Sequence, residues 1–208
     1  MVSAWTRAVL LNNEKTALAL APDMMSCIPE LKSYMPNFIK AKNSQTRSFE
    51  ASWIMLNNPA MRPVVDYGLE RQAGFSDIDD YRDNWWCNTE QAYKPENSDM
   101  AELLVPGFIS KTELAEATNE NANISKHAAS GSNYLAAEVS AWATQIPTEK
   151  RLPNALYLAV KATRFGCQNC ETGKISKAAF DILKTRFGNT PWKKKTPYWF
   201  KDENCQTK

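Results

Sequence analysis

The chain has 208 residues, 43% of them hydrophobic and 23% charged, a balance that excludes a disordered chain and supports a sizeable core without help from metals or disulfides. Its 25 basic and 23 acidic residues leave a formal charge of +2. Read as interspersed charge, they supply no long-range field for a polyanion, so nucleic acid is not expected as a partner. No run approaches the roughly 20 apolar residues of a membrane helix, and the N-terminus lacks the basic, apolar, small-residue order of a signal peptide.

Apolar residues recur at helical spacing from the start. Ala4, Trp5, Ala8, Val9 and Leu11 form a stripe behind Ser3 as its cap, and Asn13 caps a second helix carrying Ala17, Leu18, Leu20 and Ala21. Pro22 and Pro29 are expected to divide the chain beyond Ala21 into short helices, because proline fits a first turn but not a helix interior. Phe49, Trp53, Ile54 and Leu56 predict a firmer amphipathic helix over 44–56, ended before Pro59, and 61–71 reads as one more short helix weakened by Gly68. Residues 72–110 lack periodicity and carry Gly74, Pro95, Pro106 and Gly107. Helices are then expected over 132–145 and 153–165, antiparallel about Pro147 and Thr148, with a third over 177–187 capped by Ser176 and stopped at Gly188. Lys193, Lys194 and Lys195 read as a solvated tail.

The fold class is therefore all-α, a single helical domain over 1–208: N-terminal helices over 1–71, an irregular aromatic segment over 72–110, a helical-hairpin region over 111–192 and a basic tail over 193–208. Because the chain enters a helical pattern almost at once, it reads as the C-terminal part of a longer protein.

The run from Leu152 to Tyr157, with Arg186, Phe187, Gly188, Asn189, Thr190, Pro191 and Trp192 beyond it, resembles the helix pairs of tetratricopeptide-like proteins of the bacterial envelope. There, an aromatic-rich turn ends one helix and a proline starts the next unit. No strict 34-residue repeat accompanies it. The segments from Arg82 to Cys87 and from Ala162 to Cys167 are similar to the C-terminal region of an uncharacterised bacterial family of this helical type. The resemblance implies stacked antiparallel hairpins, and it implies that Cys87 and Cys167 are disulfide partners.

Catalytic chemistry finds little purchase. The five cysteines include the pair Cys167 and Cys170, but half a zinc site is not a site, and a thioredoxin-like pair would open a helix rather than come after one. The bland readings are buried thiols or a structural disulfide joining the central segment to the C-terminal hairpin; an odd count leaves one thiol free or bridged between chains. Asp77, Asp79 and Asp83 lack the glycine and the twelfth-position glutamate of a calcium loop. His127, the one histidine, has no nucleophile elbow for company, and no glycine-rich phosphate loop is present. No catalytic residue, metal or cofactor is assigned.

The aromatic supply is the most informative feature, with seven Trp, seven Tyr and eight Phe. Most should brace helix packing, while Tyr81, Trp85 and Trp86 with Arg82 beside them, or Tyr198 and Trp199, offer an anchor for a partner or a platform for a sugar. These features point to a non-enzymatic helical-repeat module that binds a protein or peptide, or caps a longer solenoid, in a periplasmic or secreted setting. The alternatives are an envelope enzyme or accessory protein acting on cell-wall glycan through carboxylates near 77–90, and a cytoplasmic location.

Overall fold

Asparagines set the first turns of the chain. In the computed structural model, which describes residues 1–63, 85–87 and 108–202, α1 (Val2–Leu10) ends with Asn12 at φ 55°. The Asn12 and Asn13 amides donate to the carbonyls of Val9 and Ala8, the paired closure in which a left-handed residue satisfies the last carbonyls of a helix. Asn13 then caps α2 (Glu14–Cys27) by accepting from the Thr16 amide at 3.1 Å. Asn43 does the same for α4 (Ser44–Asn57), accepting from Thr46 at 2.8 Å. Between them run a 3-10 turn over Pro29–Ser33 and the short α3 (Met35–Lys40).

Two expectations do not hold in this half. The first helix begins at Val2 with Met1 as its cap, so Ser3 lies inside the first turn. Pro22 sits within α2 without ending it; burial of Ala17, Ala21 and Met24 on either side holds the helix together against the interior cost of a proline, about 3 kcal/mol. Of the helix expected over 61–71, Met61, Arg62 and Pro63 are not helical, and the rest lies outside the described residues.

The C-terminal half is built from α5 (Lys111–Ala128), α6 (Gly131–Gln145), α7 (Leu152–Ala162), α8 (Thr172–Arg186) and the single turn α9 (Pro191–Lys194). Among the described residues there is no strand; one isolated bridge pairs Cys87 with Ser130. Cross-links fix the directions of these helices. Ser130, at the start of α6, donates to the Cys167 carbonyl just past the end of α7, so those two helices are antiparallel. Asn133 bonds Thr172 where α6 and α8 both begin, and Arg186 bonds the Ala143 carbonyl where both end, so α6 and α8 run side by side in one direction. α4 packs across α6 and α7, with Phe49 against Trp142 at 4.5 Å between ring centres.

The third helix of this unit starts at Thr172, not at 177. Asn169 accepts from the Glu171 and Thr172 amides, and Ser176 is a buried residue of the helix interior, accepting from the Thr163 hydroxyl and from the Phe200 amide. That second bond ties the C-terminal segment to α8 at Phe200, so the tail expected from Lys193 onward is packed there, with Lys194, Lys195 and Lys201 exposed. Its far end lies along α8, with Trp199 on Phe180 at 5.1 Å, while the turn α9 packs on α7, with Trp192 on Tyr157 at 5.4 Å.

Candidate functional site

Of the aromatic residues singled out by sequence, Trp85 and Trp86 lie in the core, 4% and 2% exposed. Two glycines make room for them. A Cβ at Gly131 would stand 2.6 Å from the Trp86 ring, and one at Gly166, whose φ is +88°, would stand 2.9 Å from the Trp85 Cβ. The Trp86 indole donates to the Ala128 carbonyl at 2.8 Å, and the Gly131 amide donates to the Trp86 carbonyl at 3.0 Å. Trp86 therefore braces the α5–α6 junction and Trp85 packs at the turn beyond α7, both buried rather than presenting a stacking platform. Gly131→Ala is expected to cost about 1–3 kcal/mol through overpacking, measured by urea unfolding; wild-type stability in that variant would refute the close fit.

Cys87 and Cys167 form a disulfide, with 5.5 Å between their Cα atoms. Cys170 is disulfide-bonded as well, and Cys27 is a free, exposed thiol. Tyr198 is 55% exposed, with its ring against the Arg164 guanidinium at 4.1 Å, while Trp199 is half-buried. Tyr81, Arg82 and the acidic residues Asp77, Asp79 and Asp83 lie outside the described residues. Among the described residues, no group of three His, Cys, Asp or Glu side chains could hold a metal ion, and no helix is long and apolar enough to cross a membrane.

A cavity of about 340 Å³ opens where the N-terminal helices meet α6. Ala8 and Val9 of α1, Ala17 of α2, Phe38 of α3 and Ala51 of α4 supply apolar wall. Glu14, Arg47, Ser48 and Tyr134 supply the polar groups, and the left-handed Asn12 stands at the rim. Arg47 reaches Glu14 at 2.7 Å and the Ala41 carbonyl, while its buried Nε–H has no acceptor among the described residues. Ser48 donates to Glu138 at 3.4 Å. Burial, and then the nearby Glu138 charge, push the Tyr134 phenol well above its ordinary range, so it stays neutral and able to donate. A mostly apolar hollow with a few fixed polar groups suits a side chain or small amphipathic group.

Ala8, Val9 and Ala17 belong to the apolar positions of the first two expected helices, but nothing in the sequence marks Glu14, Arg47, Ser48 or Tyr134. Only the Asn12–Asn13 pair, a turn signal, marks the place. His127 is a helix-end tie: its ring nitrogens lie 3.1 Å from the Asn123 carbonyl oxygen and 2.9 Å from that of Leu10, joining α5 to α1. A shallower basin of about 460 Å³ borders Lys40, Lys42 and Arg151, but the Arg151 guanidinium there is held by Glu50 and Glu149. The chain matches no protein-family model, no curated protein and no solved structure.

Proposed function

We propose that the chain is a non-enzymatic interaction module of stacked, tetratricopeptide-like helical hairpins, in which the cavity between α1, α2, α4 and α6 takes an apolar side chain of a protein or peptide partner. The observation that carries the reading is the cavity itself. Its apolar wall would bury an anchor side chain, and the Arg47 Nε–H and the Tyr134 hydroxyl stand ready for a peptide carbonyl or carboxylate. The lining carboxylate, Glu14, is occupied by Arg47, which suits an anchor better than a general acid. The segment 191–202, laid against α7 and α8, fits the closing piece that a helical array needs over its last apolar face. An oxidising compartment, periplasmic or extracellular, accords with the Cys87–Cys167 bridge.

The test is selection of binders from a displayed random-peptide library, then titration against Ser48→Phe, which places a ring in the cavity. Enriched peptides should share an apolar anchor and lose at least about tenfold in affinity to the variant, the scale of a lost hot spot. Failure to enrich any sequence, or peptides that bind both proteins equally, would discard the reading.

A further inference from the structure

We propose that the face made by α8 and the segment 191–202 docks on an anionic phospholipid surface. The charge of the chain is not evenly spread. Between residues 172 and 202, the stretch that makes this face, stand eight Lys or Arg residues and two acidic residues, Asp181 and Asp202, within a molecule whose formal charge is only +2. The helix puts part of this charge in one stripe: Lys174, Lys177 and Lys184, spaced by three and seven, share a side of α8, and all three are exposed. The segment 191–202 reaches that helix through Lys193 over Phe180, Trp199 on Phe180 and the Phe200 amide on Ser176, and its start rests on the neighbouring α7; Lys194, Lys195 and Lys201 are also exposed. Two of the lysines are shared with acids, Lys174 with Glu171 and Lys177 with Asp181. These are solvent-exposed pairs of small energy, and even with Asp202 at the end of the segment the cations of this face outnumber its acids by eight to two.

The aromatic residues of the same face decide which polyanion fits. The Lys201 ammonium lies 4.9 Å from the centre of the Trp199 ring and that of Lys177 5.7 Å from it, and Lys195 stands 4.9 Å from Trp192. A nucleic acid would need open ring faces for its bases, and these rings already carry cations on one side and Phe180 or Tyr157 against them. What the arrangement does match is a membrane interface. Lysine stems lie over apolar rings and deliver their charge outward, beside Trp and Tyr, the residues favoured at headgroup depth. Clustered lysines add about 1 kcal/mol each near an anionic leaflet. The surface shares no residue with the cavity between α1 and α6, so the two readings stand or fall separately.

The test is co-sedimentation of the whole chain with vesicles of phosphatidylcholine alone and of phosphatidylcholine mixed with phosphatidylglycerol, at rising salt. Binding is expected only to the anionic vesicles and should weaken as salt screens the charges. Lys184→Glu with Lys194→Glu and Lys201→Glu should reduce the partition coefficient by at least tenfold, on the scale of about 1 kcal/mol per lysine. Lys15→Glu with Lys32→Glu and Lys111→Glu changes the net charge equally, on exposed positions outside this face, and should leave most of the binding. Circular dichroism checks that both triple variants are folded. No preference for anionic vesicles, an equal loss in both variants, or displacement from vesicles by a stoichiometric single-stranded oligonucleotide would each overturn the assignment, the last in favour of nucleic acid.

Discussion

Replacing Cys87 and Cys167 together by alanine is expected to destabilise the protein by about 4.5 kcal/mol, the chain-entropy value for a loop of sequence separation 80. The closed loop contains α5, α6 and α7, so the unfolded chain gains freedom over a large part of the C-terminal unit. For a chain of this size, the loss corresponds to a fall in Tm on the order of 10 °C or more. The double variant is the right probe because Cys170 is also disulfide-bonded, and a reductant would open both bridges at once. Urea unfolding of oxidised wild type and variant measures the difference. A change below about 1 kcal/mol, smaller than any loop of this length predicts, would mean that the 85–87 segment is held by the indole packing and not by the bridge.

Arg151→Met should cost about 3 kcal/mol, near the lower end for a broken buried pair because the guanidinium is partly exposed. Arg151 donates to both oxygens of Glu50, at 2.8 and 2.6 Å, and to Glu149 at 3.0 Å, with its guanidinium over Phe49. The Glu50 side chain is only 6% exposed, so removing its partner strands a carboxylate between α4 and α7. Methionine keeps much of the stem packing, which isolates the charge. Adding Glu50→Gln should recover much of the loss, since a neutral amide is cheaper to bury than an unpaired carboxylate.

Wild type and Arg151→Met should also differ in their response to acid. In wild type, the Arg151 side chain bonded to Glu149 holds that carboxyl below its ordinary range. Its contribution is therefore complete above the unfolded glutamate value and is lost as pH falls through the folded one. In Arg151→Met the Glu149 carboxyl has lost that hydrogen bond, so this acid-labile contribution is missing from the variant. The two stability curves should converge toward low pH; parallel curves would show that the Arg151–Glu149 bond does not contribute.

How much of this is legible in the sequence depends on which force decides each feature. The caps at Asn13 and Asn43 arise from side-chain chemistry within three residues, and so can be read directly. The capping box of α5, with Ser110 accepting from the Glu113 amide and Glu113 from that of Ser110, is equally local. It is easily missed because the helix it opens is poor in apolar residues and mostly exposed, leaving no stripe to notice. The basic segment escapes for another reason: a balanced total conceals a one-sided stretch.

Local sequence determined that this chain is helical, and where several of its helices begin, because caps and apolar spacing act over one or two turns. Tertiary structure alone decided the rest. It carried α2 through Pro22 and moved the start of α8 to Thr172, and it turned Trp85 and Trp86 inward against Gly131 and Gly166. It also laid 191–202 against α7 and α8 and gathered Arg47, Ser48 and Tyr134 around one hollow. Each of these depends on residues far apart in sequence, and their energies come from burial and close approach, which a periodicity cannot report.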